Sequence, residues 1–172
     1  EYILSESFKN PLGDDVPMKY LSTPRFIREF LQERGEAYTY EMYSELRRRC
    51  EEALVKPPTY ASFYKYVWIL KEFGLIRKTR VEKSTRGGYD RVYYELVEDK
   101  LDSPIWQRPQ RYINPLSAVG YKRYRRIIQV AAETGKDKYD VLYELYPEFV
   151  ESIAKDLGIS AKELIEGLKR TE

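Results

Sequence analysis

The stretch Thr59-Tyr-Ala-Ser-Phe-Tyr-Lys-Tyr-Val-Trp-Ile-Leu-Lys-Glu-Phe-Gly-Leu-Ile-Arg77 decides how the rest of the chain is read. Phe63, Val67 and Leu70 recur at spacings of four and three, which sets them on one face of a helix. Thr59 stands before the first periodic residue and can cap the helix. Gly74 closes it, because Gly takes the left-handed conformation of a helix C-terminus without a Cβ penalty. After Leu75-Ile76 the pattern turns to alternation. Ile76–Lys83 and Tyr89–Val97 predict the two strands of a hairpin around Ser84–Gly88. Arg86-Gly87-Gly88 there supplies positive-φ positions for a tight turn. On the closing strand, Val92, Tyr94 and Leu96 are expected to face inward, and Arg91 and Tyr93 outward.

Toward the N-terminus, Thr23 can cap a first helix, with Pro24 at its first position. Phe26, Ile27, Phe30 and Leu31 are its buried stripe, and Gly35 stops it. Ala37-Tyr38 leads into a second helix, which Thr39 is expected to cap. Met42, Tyr43, Leu46 and Cys50 face its core side. Arg47, Arg48 and Arg49 read as a solvated face paired with Glu45, Glu51 and Glu52. Pro57-Pro58 cannot continue that helix. On the third helix, Phe63, Val67 and Leu70 point inward, while Tyr60, Ser62, Lys65, Tyr66 and Ile69 are left outward. Residues 1–22, with Pro11, Gly13 and Pro17, read as an N-terminal arm.

Residues 23–98 resemble the winged helix-turn-helix family of DNA-binding domains. The carriers are Leu70-Lys-Glu-Phe-Gly-Leu-Ile76, which looks like a recognition-helix end and first wing strand, Arg86-Gly87-Gly88 as a wing tip, and Tyr93-Tyr-Glu-Leu-Val97 as the returning strand. The resemblance implies a helix, residues 59–73, in the major groove and a wing, residues 77–94, on the DNA backbone. By position, Ser62 and Lys65 would face bases or phosphates, and Arg86 would be the wing-tip contact. The residues themselves fit such roles. Thr59, Tyr60, Ser62, Lys65 and Tyr66 offer hydroxyls, a cation and rings to base edges or phosphates. Lys78, Arg80, Lys83, Arg86 and Arg91 offer charge along the hairpin. The alternative is an interaction module within a replication, repair or transcription assembly, because tyrosine is also common at protein contacts.

Residues 101–113 read as a linker anchored by Ile105 and Trp106, and residues 114–172 as a C-terminal helical domain. Asn114-Pro115 is expected to open one long helix with a stripe of Leu116, Tyr124, Ile127 and Ala131. Lys122, Arg123, Arg125 and Arg126 form its basic cluster. Residues 103–132 carry six Lys/Arg and no Asp/Glu, whereas residues 133–172 carry six against ten. An acid-free basic block ahead of an acidic segment argues for an oriented electrostatic surface, as in nucleic-acid binders. Gly135 ends the basic helix and Asp137 caps the next. Ser160-Ala-Lys-Glu163 is a capping box. The segment Ile153–Ile165 resembles a helix-turn-helix pair, but its acidity disfavours phosphate contact, so it reads as a helical hairpin or dimerisation face.

Composition narrows the chemistry. The 172 residues include no His and one Cys, Cys50, so His-based triads, His general bases and Cys clusters are excluded. No apolar run approaches the ~20 residues of a membrane span. Asp14-Asp15 and Asp99/Asp102 are the acidic groupings that could suggest a metal-dependent nuclease, and both read as solvated loop residues. No catalytic residue, metal or cofactor is expected. The 34 % charged residues and seventeen tyrosines resemble a hyperthermophile, archaeal composition. The start at Glu1, with no secretory signal pattern, reads as a trimmed sequence. The expected protein is mainly α with a small β-hairpin wing: a winged helix-turn-helix at residues 23–100, then a helical bundle. It is expected to be a cytoplasmic, non-enzymatic binder of double-stranded DNA, a transcription regulator, with a protein partner or homodimer through the C-terminal helices left open.

Overall fold

The structure, a computed structural model, describes residues 22–171. The expected N-terminal arm, apart from Ser22, and the Asp14-Asp15 pair lie outside these residues. The chain divides into two compact units, the first ending at Pro109 and the second beginning at Gln110. Both the mainly helical character and the small antiparallel sheet agree with the sequence reading. Among the described residues, no helix is long and apolar enough to cross a membrane.

The first unit runs α1 (Thr23–Arg34), β1 (Glu36–Tyr38), α2 (Thr39–Glu52), α3 (Tyr60–Glu72), β2 (Ile76–Glu82) and β3 (Arg91–Leu96). Its core is Phe26 and Ile27 from α1, Met42 and Leu46 from α2, and Phe63 and Leu70 from α3, all essentially without solvent contact. Phe63 takes Phe26 at 6.4 Å and Tyr43 at 5.6 Å between ring centroids. Burying each such side chain contributes about 1.5–3 kcal/mol. The connection through Pro57-Pro58 is held by the Tyr43 hydroxyl, which donates to the Pro58 carbonyl at 3.1 Å. Thr59 then caps α3 as read, its Oγ1 accepting from Ser62 N–H at 3.1 Å.

Several local expectations are corrected. Glu36–Tyr38 is not a lead-in but a strand, and it completes a sheet ordered β1-β3-β2. Thr39 is therefore the first helical residue and not the cap, which falls on Tyr38 and makes no side-chain bond. At α1 the cap position is likewise Ser22, one residue before Thr23, again without a side-chain bond. Ile69, read as outward, is fully buried. Because α3 packs on β2 as well as on α1 and α2, its buried arc is wider than one stripe. The hairpin turn is also longer than a tight one, spanning residues 83–90. Asp90 accepts from Ser84 N–H at 2.9 Å, Ser84 Oγ accepts from Gly88 N–H at 2.9 Å, and of the two glycines Gly87 alone has positive φ.

Tyr93, expected to face outward, is the most buried residue of β3. The alternation itself is as read. Tyr94 lies opposite fully buried Ala37, and Tyr93 opposite Tyr38, on the other face. Tyr93 is buried because its neighbours on that outer face cover it. A bulge between Lys78 and Arg80 leaves Thr79 without a partner on β3 and sets Arg80 opposite Tyr93.

In the second unit, α4 (Gln110–Ile113) and α5 (Pro115–Ala118) are single turns. They precede α6 (Tyr121–Thr134), α7 (Lys138–Leu145), α8 (Pro147–Leu157) and α9 (Ala161–Arg170). The long helix expected from Asn114 is thus broken, and Asn114 makes no side-chain cap bond. Gly120, at φ 100° and ψ 148°, turns the chain there in a conformation that side chains other than Gly rarely take. Within α6 the expected stripe narrows to Ile127, the one buried residue, while Tyr124 stays exposed. The three last helices pack on one another through Val141, Leu142, Val150, Ile153, Leu164 and Ile165. Asp137 caps α7 through Tyr139 N–H at 2.8 Å, and Ser160 caps α9 through Glu163 N–H at 3.1 Å, both as read. Gly135 and Gly158 end their helices in the left-handed conformation. Two hydrogen bonds tie α4 to α8: the Tyr112 hydroxyl donates to Asp156 at 2.7 Å, and Arg111 donates to Ser152 Oγ at 3.2 Å.

Candidate nucleic-acid interface

The hairpin's charge is mostly spent on itself. Its outer face carries Arg77, Arg80 and Arg91 from the hairpin against Glu36, Glu82 and Glu95. Arg77 pairs with Glu95 at 2.5 Å, Arg80 with Glu36 at 2.8 Å, and Arg91 with Glu82 at 3.5 Å. The Thr79 hydroxyl donates to Glu36 at 3.0 Å, using the bulge. The Arg80 guanidinium lies 3.7 Å from the Tyr93 ring centroid, and that of Arg91 lies 4.8 Å from the Tyr38 ring. The Tyr93 hydroxyl donates to Glu82. Hydrogen bonds from Arg80 and then Thr79 hold the Glu36 carboxyl below the usual range, and Glu36 in turn raises the Arg80 pKa. In the loop, Lys83 pairs with Asp90 at 3.2 Å, and Asp90 titrates low because Ser84 N–H and then Lys83 bond it.

Of the five cations read as hairpin contacts, Arg80, Lys83 and Arg91 are therefore committed to carboxylates. Lys78 and Arg86 are exposed and make no ion pair among the described residues. On α3, Thr59 uses its hydroxyl oxygen as the cap, Ser62 and Lys65 are exposed, and Tyr66 is half-buried. Tyr60 is exposed at one edge and rests its ring on Tyr43 at 5.2 Å and Tyr40 at 6.0 Å. Burial raises the Tyr60, Tyr66 and Tyr94 pKa values, so all three hydroxyls stay protonated donors.

Two exposed aromatic residues of α3 are missing from the sequence-derived site: Tyr64 and Trp68. The signal was present, since Tyr60, Tyr64 and Trp68 repeat every fourth residue. The repeat lies beside the Phe63, Val67 and Leu70 stripe and is masked by it.

In the second unit, Lys122, Arg123, Arg125 and Arg126 are all exposed on the first turns of α6. None makes an ion pair among the described residues. Arg123 lies 5.1 Å from the Tyr146 ring and Arg125 5.8 Å from the Tyr121 ring, contacts that leave guanidinium N–H groups available. The first turn of α6 has no acidic residue, and Gly120 offers no capping side chain. Its free N–H groups and the helix dipole add to the attraction for anions. An open groove of about 470 Å³ beside it is lined by Asn114, Ser117, Tyr121, Tyr124 and Tyr139, among others. Among the described residues, no group of three or more acidic or Cys side chains is arranged to hold a metal.

No protein-family model and no curated protein matches this sequence.

Proposed function

We propose that this chain is a cytoplasmic DNA-binding protein, a transcription regulator by type, whose first unit is a winged helix-turn-helix with α3 as recognition helix and β2–β3 as wing. The observation that carries the reading is the contrast in charge pairing. On the hairpin Arg77, Arg80, Lys83 and Arg91 sit in ion pairs, yet the four on α6 have none among the described residues. Unpaired, exposed cations around an uncapped helix start are suited to phosphates, and each phosphate neutralised releases counterions. Lys65, Lys78 and Arg86 supply the first unit's share. The test is anisotropy of a labelled random duplex across salt. Replacing Lys122, Arg123, Arg125 and Arg126 by Ala is expected to reduce the log–log salt slope by about 3.6, at roughly 0.9 per contact on B-DNA. An unchanged slope overturns this assignment.

A second reading, docking of a protein on α3, is favoured by the exposed rings of Tyr60, Tyr64 and Trp68. It predicts that duplex affinity survives loss of Lys65, Lys78 and Arg86 together.

A further inference from the structure

We propose that the exposed face of α3 binds single-stranded nucleic acid by stacking unpaired bases on Tyr60, Tyr64 and Trp68, with Lys65, Lys71 and Lys78 on its phosphates. This goes beyond duplex binding and does not depend on the α6 contacts. Tyr60, Tyr64 and Trp68 are 42 %, 53 % and 48 % exposed, too open for core packing and too regular for scatter. The Tyr60 and Tyr64 ring centroids lie 6.3 Å apart, and Trp68 stands one helical turn further on. Tyr60 is propped from behind by Tyr43 and Tyr40, which fix its ring before any ligand arrives. Rings held in this way offer flat faces, and every base has a flat face to match.

Charge selects the occupant. Lys65 and Lys71 are both exposed on α3 and make no ion pair among the described residues. Lys78 stands directly opposite Tyr94 on the helix-facing side of the hairpin. β2 packs on α3, and Lys78 is exposed on that side. Glu72 is the one acidic residue of α3. Three cations beside a row of exposed rings fit a polyanion with exposed bases better than a neutral protein surface. Duplex base edges, by contrast, are read mainly by hydrogen bonds that a ring stripe supplies only at its hydroxyls.

The molecule carries its own reporter. The two tryptophans are Trp68 and Trp106, and Trp106 is buried at 2 % exposure. The experiment titrates a twenty-residue oligothymidylate, which forms no duplex, into the full chain and follows both anisotropy and tryptophan emission. Binding with quenching that disappears in Trp68→Phe is expected. Tyr60→Ala and Tyr64→Ala should each weaken binding about five- to hundredfold, the range for one stacked base. Both are surface changes, and circular dichroism checks the fold. The inference is overturned if the oligomer fails to bind, binds without altering Trp68 emission, or binds the Tyr60→Ala/Tyr64→Ala double variant equally well. In each case duplex binding through α6 can still stand. A duplex salt slope that the α6 substitutions leave unchanged, with oligothymidylate stacking intact, would sink the duplex reading alone.

Discussion

Leu54 shows what one residue can cost. It follows α2 with φ 57°, the one positive φ outside glycine among the described residues, and its side chain is 94 % exposed. Val55 N–H bonds back to the Cys50 carbonyl at 2.9 Å, so the chain needs the left-handed turn here. Leucine is strained in that turn and gains no burial in return. Leu54→Gly is expected to raise stability by about 0.5–1 kcal/mol, read as a higher midpoint in urea. The Arg residues of α2 illustrate the opposite case, where the sequence was sufficient. Arg47–Glu51, Arg48–Glu45 and Arg49–Glu45 all form at 2.6–3.1 Å, as spacings of three and four require. Arg80 was not legible in the same way. Its partner Glu36 lies 44 positions away, on a strand too short to announce itself.

At the scale of elements, local signals were read well and non-local ones poorly. The Thr59, Asp137 and Ser160 caps and the Gly135 stop each depend on residues within one turn, so they stand in the sequence. β1 has three residues and exists because β3 is there to pair with it. The break at Gly120 was hidden because Pro115 and the basic run both suit a helix, and one glycine among them carries little weight. The α4–α8 tie makes a pH prediction. Burial first, then the bond to Asp156, pushes the Tyr112 hydroxyl up to about 12, above its ordinary value of 10. A group raised in the folded state contributes stability in full below its unfolded pKa, and that contribution is lost as pH rises through the folded one. Stability should therefore fall between about pH 10 and 12. Tyr112→Phe should be less stable at neutral pH and lack this part of the decline in alkaline melts.

For the molecule as a whole, counting basic residues misleads, and asking which of them are unspent does not. Fourteen positions were read as DNA contacts, and Arg80, Lys83 and Arg91 among them already face carboxylates. Exposed pairs of this kind contribute little stability singly, but they still offset a positive charge on the surface offered to a polyanion. Two variants separate the classes. Lys65→Ala/Lys78→Ala/Arg86→Ala should reduce the duplex salt slope by about 2.7, at roughly 0.9 per lost contact. Arg80→Gln should leave the slope unchanged and lower the melting temperature. If the two variants change the slope alike, the hairpin carboxylates do not occupy their arginines in solution.

The unmatched Thr79 gives the hairpin something like a reading frame. Side chains alternate between two faces that differ completely, one turned to α3 and the other a closed set of arginines, carboxylates and rings. Deleting Thr79 itself would leave every pair beyond it in place, because it is the residue without a partner. Losing one residue elsewhere in β2 would turn over those beyond it, carrying Arg80 or Val81 to the wrong face. The tip loop can vary in length freely, but the strands can drift in evolution only by pairs of residues or through that one position. In any relatives of this chain, a Thr79 bulge together with Glu36 and Tyr93 would be the signature to seek.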